Sequence, residues 1–92
     1  MRSGRAGRLH RRTIRKVLIQ ETGADVVSHV DGTIDVQVPP AWDANAFAKV
    51  VDLHVRELGY VPSIEITSNR RFVRISTPET LEQQGRGAHR ES

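Results

Sequence analysis

The chain has no cysteine and is poor in aromatic and apolar residues. Its 92 residues include four aromatic side chains, Trp42, Phe47, Tyr60 and Phe72. Without cysteine, disulfides and thiolate metal sites are excluded. Hydrophobic residues make up 37% of the sequence, so the core must be small. Since a body of about 60 to 70 residues buries only about 60% of its unfolded surface, we expect self-association.

Long apolar runs and catalytic sequence motifs are also missing. No run approaches the roughly 20 residues of a membrane span, and the arginine-rich start lacks the apolar segment of a secretory signal. We therefore expect a cytoplasmic protein without membrane contact. Gly-rich phosphate loops, nucleophile elbows and metal-ligand helix motifs are absent. The histidines are scattered through the sequence, so no metal, cofactor or catalytic residue is predicted.

The net charge of +3 hides a strong asymmetry. Residues 1–16 carry seven basic side chains and no acidic one, whereas residues 17–83 carry five basic and ten acidic side chains. Such a basic segment binds nucleic acid, an anionic protein surface or a membrane, or only aids solubility. For nucleic acid the candidate residues are Arg5, Arg8, Arg11, Arg12, Arg15 and Lys16.

The domain organisation follows from composition. Residues 1–8 contain two glycines and almost no apolar side chain, so they predict a flexible basic arm. Residues 84–92 predict a flexible tail for the same reason. Residues 9–83 then form a single domain.

The first part of the domain predicts a helix and a hairpin. Apolar residues recur at helical spacing between Leu9 and Thr22, and Gly23 follows where a helix would stop. Two β-branched runs joined by Asp31-Gly32 are typical of a hairpin with a two-residue turn. This turn would pair His29 with Ile34. It would also place five side chains on the core face: Val27, His29, Ile34, Val36 and Val38.

The second part repeats this order. Asp43 as N-cap and Gly59 as stop predict a helix from about Ala44 to Leu58. A second hairpin follows, with a four-residue loop Ser68–Arg71 and with Glu65 opposite Arg74 on the outer face. Its inward residues are Ile64, Ile66, Val73 and Ile75. Thr77 and Pro78 predict the start of a short last helix through about Gln83.

The predicted order is α-β-β-α-β-β with an optional final helix. It indicates an α+β fold in which a four-stranded antiparallel sheet carries the helices on one face. Within this fold, His54 on the apolar stripe of the second helix is interpreted as a core histidine hydrogen-bonded to the backbone or across the sheet. His29 is interpreted as structural, and His10 and His89 fall in the tails. Arg70 and Arg71 occupy a hairpin turn, where they contact a phosphate or carboxylate or are simply solvated.

One stretch resembles a known family. Leu58-Gly59-Tyr60-Val61-Pro62, then Asn69 in a turn and Ile75-Ser76-Thr77 at a strand end, resembles the pterin-4a-carbinolamine dehydratases. Phe47, Val51 and Leu53 of the preceding helix are similar too, and about 35 residues are covered. The resemblance implies the fold α-β-β-α-β-β-α and association through the sheets into dimers or tetramers.

The departures from the family pattern bear on function. The family's paired histidines and later histidine would fall at Tyr60, Val61 and Pro78. Valine and proline perform no acid-base catalysis, and an ordinary tyrosine has a pKa near 10. The resemblance therefore implies a scaffold without its catalytic residues. Degenerate relatives of this family occur beside carboxysome genes and look like Rubisco assembly factors.

Three hypotheses follow. The first is a non-catalytic, oligomeric assembly factor or cochaperone for a larger protein, such as Rubisco in carboxysome biogenesis. Its partner-binding candidates surround the vacated pocket: Tyr60, Val61, Pro78, Arg70, Arg71 and Arg74. The second is a small nucleic-acid-binding protein that uses the basic arm. The third is an active dehydratase that uses His54 or another base.

Overall fold

The computed structural model describes residues 2–81, with side chains described from Leu9 onward. Two helices and four strands follow the predicted order, which confirms the α+β class. Residues 84–92, predicted as a tail, lie outside the described residues. The elements are α1 (Arg2–Thr22), β1 (Val26–Ser28), β2 (Ile34–Gln37), α2 (Ala44–Glu57), β3 (Ser63–Ile66) and β4 (Phe72–Ser76).

Helix α1 is longer than predicted. It begins at Arg2 rather than Leu9, so the residues predicted as an arm form the first turns of a helix. Arginine and alanine are good helix formers, and extending an existing helix is far easier than starting one. Ile14 and Leu18 are fully buried, and Gly23 ends the helix with a φ of 72°.

The register of the first hairpin differs from the prediction by one residue. Val26 pairs with Val36, and Ser28 pairs with Ile34. The pairing continues to Thr33, whose carbonyl accepts a hydrogen bond from the His29 backbone N–H at 2.9 Å, so the loop has three residues and ends at Gly32 with a φ of 95°. A three-residue loop of this kind places its last residue in the left-handed region, which Asp-Gly satisfies as readily as a two-residue turn does.

This slip exchanges the two faces of β1, because side chains alternate along a strand. Val26 enters the core, whereas Val27, predicted inside, is 48% exposed. His29, also predicted inside, instead reaches Asp35 on the outer face.

Helix α2 agrees with the prediction. The Asp43 carboxylate accepts a hydrogen bond from the Ala46 backbone N–H at 3.1 Å, and Gly59 follows the last turn with a φ of 96°. The predicted apolar stripe faces the core, with Phe47 and Val51 buried.

The second hairpin is also as predicted. Glu65 pairs with Arg74 on the outer face, and Ile64 pairs with Ile75 on the core face. The Asn69 side chain accepts a hydrogen bond from the Arg71 backbone N–H at 3.0 Å and so closes the four-residue loop.

The four strands form one antiparallel sheet in the order β1-β2-β4-β3. Both helices pack on the same face, where a single core joins them to the strands. After β4 the chain makes one turn, closed by the Leu81 backbone N–H and the Thr77 carbonyl at 3.1 Å. The rest of the short helix predicted through Gln83 lies outside the described residues.

Candidate functional site

Tyr60 lies where α1 meets the body of the domain. It follows Gly59 at the end of α2, is half-buried and packs against the core. Its hydroxyl contacts Nδ1 of His10, and the two rings meet edge to face with centroids 5.2 Å apart. Burial raises the pKa of Tyr60 above its ordinary value, and the charge of Glu79 adds to this effect. Tyr60 is therefore a neutral hydrogen-bonding group near neutral pH.

The prediction that His10 lies in a tail with no site to join is wrong. His10 belongs to α1, about one turn before Ile14, and this places it on the buried side of the helix. The four-residue spacing between His10 and Ile14 was visible in the sequence. The predicted helix began at Leu9, only one residue before His10, so His10 was assigned to the tail. Its partner, 50 residues away in the sequence, could not be read from the pattern.

A second contact joins α1 to the turn after β4. The Arg11 guanidinium donates a hydrogen bond to the Thr80 carbonyl at 3.2 Å. In the same turn, one carboxylate oxygen of Glu79 is buried and accepts no hydrogen bond within the described part of the chain. We call this region the α1 junction, defined by His10, Arg11, Tyr60, Glu79 and Thr80. Sequence reasoning missed Glu79 and Thr80 as members of this region.

Val61 and Pro78 lie at the same end of the sheet as the α1 junction. Ser63 pairs with Ser76, so the residues just before β3 and just after β4 are neighbours. Val61 is 65% exposed and Pro78 is also exposed. The strand pairing therefore brings Val61 and Pro78 to the same end of the sheet, and the pocket around Tyr60, Val61 and Pro78 stays a prediction.

Arg70 and Arg71 do not join this group. They occupy the loop at the other end of the β3–β4 hairpin, where both are exposed. The five residues of β4 and then Thr77 separate Arg71 from Pro78, and β4 alone spans roughly 16 Å at the rise of an extended strand. The loop therefore forms a surface separate from that of Val61 and Pro78.

Arg74 belongs to a third place, the outer face of the sheet. Its guanidinium donates to both carboxylate oxygens of Asp35, at 2.8 and 3.1 Å. The His29 ring lies 2.9 Å from the same carboxylate. We call Asp35, Arg74 and His29 the outer-face ion cluster. The hydrogen bonds from Arg74 hold the pKa of Asp35 below its usual range, with a smaller contribution from His29 and against the opposing effect of burial.

His54 lies at the edge of the core with a side chain 19% exposed. Its Nδ1 is 3.6 Å from a carboxylate oxygen of Glu57, one turn along α2. The predicted hydrogen bond to the backbone or across the sheet is not among those of the described residues. Among the described residues, no other acidic side chain lies within ion-pair distance of His54.

The basic residues of α1 face two ways. Arg11 turns toward the Thr80 carbonyl, whereas Arg12, Arg15 and Lys16 are exposed. The other two predicted nucleic-acid candidates, Arg5 and Arg8, lie within the same helix. Arg12, Arg15 and Lys16 line an open concavity along the outer side of α1, together with Leu9 and Ile19.

Neither a metal site nor a membrane span is visible in residues 2–81. There, no three histidine or acidic side chains come close enough together to hold a metal ion. Neither described helix has a stretch long and apolar enough to cross a bilayer. Comparisons with protein-family models, with curated proteins and with solved structures find no match for this chain.

Proposed function

We propose that this chain is a non-catalytic binding protein on a scaffold like that of the pterin-4a-carbinolamine dehydratases. In this proposal it acts in the cytoplasm as an oligomeric assembly factor for a larger protein. The observed order α-β-β-α-β-β supports the proposal, because it agrees with the first six elements of the fold that the sequence resemblance implies. The four strands form a single antiparallel sheet with both helices on one face.

The proposal rests on the chemistry of Tyr60, Val61 and Pro78, none of which is a histidine. The resemblance implies proton-transferring histidines at these positions. The Tyr60 hydroxyl is engaged by His10, and its raised pKa makes it a weaker acid than ordinary tyrosine. Val61 has no titratable atom and is 65% exposed. An exposed apolar side chain, next to a tyrosine whose hydroxyl is already hydrogen-bonded, is better suited to contact with a protein than to proton transfer.

Self-association is part of the proposal. The outer face of the sheet is not covered by any described element, and its edge strand β1 has only three residues. A small core of this kind is stabilised when further surface is buried between copies. Analytical ultracentrifugation should show a dimer or tetramer at micromolar concentration, and a monomer would contradict this part.

The client to be tested is Rubisco. Its large and small subunits are co-expressed with chaperonin, with and without this chain, and assembled holoenzyme is measured on native gels. The chain should raise the yield, and Val61→Glu should abolish the increase. Leu53→Glu is the matched control, because it places the same charge at another exposed apolar side chain, on α2. Equal yields with and without the chain would refute Rubisco as the client.

Carbinolamine dehydration is the second candidate function. The observation in its favour is that α1 brings the His10 imidazole into contact with Tyr60, one of the positions where the resemblance implies a histidine. A dehydration assay with a synthetic carbinolamine decides the matter. A rate above buffer that is lost in His10→Ala would establish this function in place of the first. A rate equal to that of buffer eliminates it.

A further inference from the structure

The outward side of α1 is a basic surface that the proposed function does not use. Arg12, Arg15 and Lys16 are exposed and lie within a span of five residues, at the i, i+3 and i+4 spacing that brings side chains to one side of a helix. The first 16 residues contain no acidic side chain, so no carboxylate from this segment offsets their charge. Residues 17–83 carry twice as many acidic as basic side chains, so positive potential is concentrated on α1.

The orientation of this surface is fixed by contacts on the opposite side of the helix. Ile14 and Leu18 are fully buried in the core. His10 contacts the Tyr60 hydroxyl, and Arg11 donates to the Thr80 carbonyl. Because α1 is held at these points, its basic side faces away from the acidic body.

We propose that this side of α1, through Arg12, Arg15 and Lys16, binds the phosphate backbone of duplex nucleic acid independently of base sequence. Arginine presents several N–H donors in a planar arrangement that matches phosphate oxygens, and lysine adds a point charge. Duplex phosphates offer a dense row of negative charge, about one per 1.7 Å of helix axis. The charge of the surface is thus complementary to that of the ligand.

A membrane fits this surface less well. A helix that lies in a bilayer interface inserts a broad apolar side, and the apolar side of α1 is already buried against the sheet. Among the side chains described from Leu9 onward, the outer side offers only Leu9 and Ile19 as large apolar groups, which are 54% and 41% exposed. Single strands fit less well too, because their non-specific binding relies on aromatic side chains that stack on bases. No aromatic residue lines the described concavity.

The test is fluorescence anisotropy with two labelled 20-base-pair DNA duplexes of unrelated sequence, titrated with the full chain at several salt concentrations. Both duplexes should bind with equal affinity and with strong salt dependence. In Arg12→Gln/Arg15→Gln/Lys16→Gln the slope of log affinity against log salt should fall in magnitude by about 2 to 3, and low-salt affinity by about tenfold or more. Circular dichroism checks that the variant folds.

The control is Lys49→Gln/Arg56→Gln, which removes two positive charges from exposed positions on α2. It should keep the wild-type slope. A comparable loss in this control, or no loss in the α1 variant, would overturn the proposal. So would tighter binding to phosphatidylserine vesicles or to poly-glutamate, which would assign the surface to a membrane or would show a general attraction to polyanions.

Discussion

The Arg74 guanidinium donates to both carboxylate oxygens of Asp35 across the β2–β4 pairing, on the face of the sheet away from the helices. Only 7% of Asp35 is exposed, and His29 contacts the same carboxylate. Two central strands are therefore joined by an ion pair as well as by backbone hydrogen bonds. This engagement removes Arg74 from the group of residues available to a partner.

Asp35→Asn should lower the urea midpoint at neutral pH, because the amide accepts at only one atom and removes the carboxylate that the Arg74 guanidinium contacts. Since the pKa of Asp35 is lowered by folding, its stabilisation is present above the ordinary carboxyl value and is lost as pH falls through the lower folded value. The difference between wild type and variant should therefore shrink in acid. Glu21→Gln, at an exposed position, is the control, and a pH-independent difference for Asp35→Asn would contradict the assignment.

Tyr60 should titrate above the ordinary tyrosine value of about 10. It is the only tyrosine in the chain, so absorbance at 295 nm reports on this group alone. Burial and the charge of Glu79 both raise its pKa, so Glu79→Gln should bring the midpoint partway back. Because folding raises this pKa, the group stabilises the fold below the ordinary value, and this contribution is lost as pH rises through the folded value. A midpoint at or below that of the urea-unfolded chain would show that Tyr60 is not buried at the α1 junction.

Gly32→Ala should destabilise the fold more than Gly59→Ala does. Both glycines have a φ near 95°, where a side chain costs about 1 to 2 kcal/mol. At Gly59 an added Cβ meets nothing within 4 Å. At Gly32 it would clash with the Thr80 carbonyl oxygen, and this overpacking adds about 1 to 3 kcal/mol. Urea unfolding of the two variants measures the difference, and equal losses would mean that the Thr80 turn does not pack on the hairpin.

Ile14→Ala and Ile19→Ala compare a buried and an exposed isoleucine on the same helix. Ile14 is fully buried, and its truncation should cost about 2 to 5 kcal/mol in the free energy of unfolding. Ile19 is 41% exposed, so its truncation should cost much less, on the order of 0.5 kcal/mol. Thermal and urea unfolding of both variants provide the measurement. Similar small losses would show that α1 does not belong to the cooperative core.

Helix α2 and the second hairpin could be predicted because local signals agree there. Asp43 and Gly59 mark the ends of the helix, and Asn69 supplies the side-chain acceptor that its loop needs. The first hairpin was wrong by one residue because Asp31-Gly32 suits both a two-residue and a three-residue turn. Contacts beyond the hairpin bear on this choice, since Gly32 packs against Thr80, nearly 50 residues later.

By itself the sequence determined the α+β class, the order of its elements, the pairing of the second hairpin and the excess of positive charge at its start. These depend on neighbouring residues, whose spacing and turn chemistry act over a few positions. Only the tertiary structure decided that His10 meets Tyr60, that Arg74 binds Asp35 rather than lying beside Arg70, and that α1 turns Arg12 outward while Arg11 faces the body. Such contacts join residues far apart in the chain, so they follow from how the helices pack on the sheet and not from any local pattern.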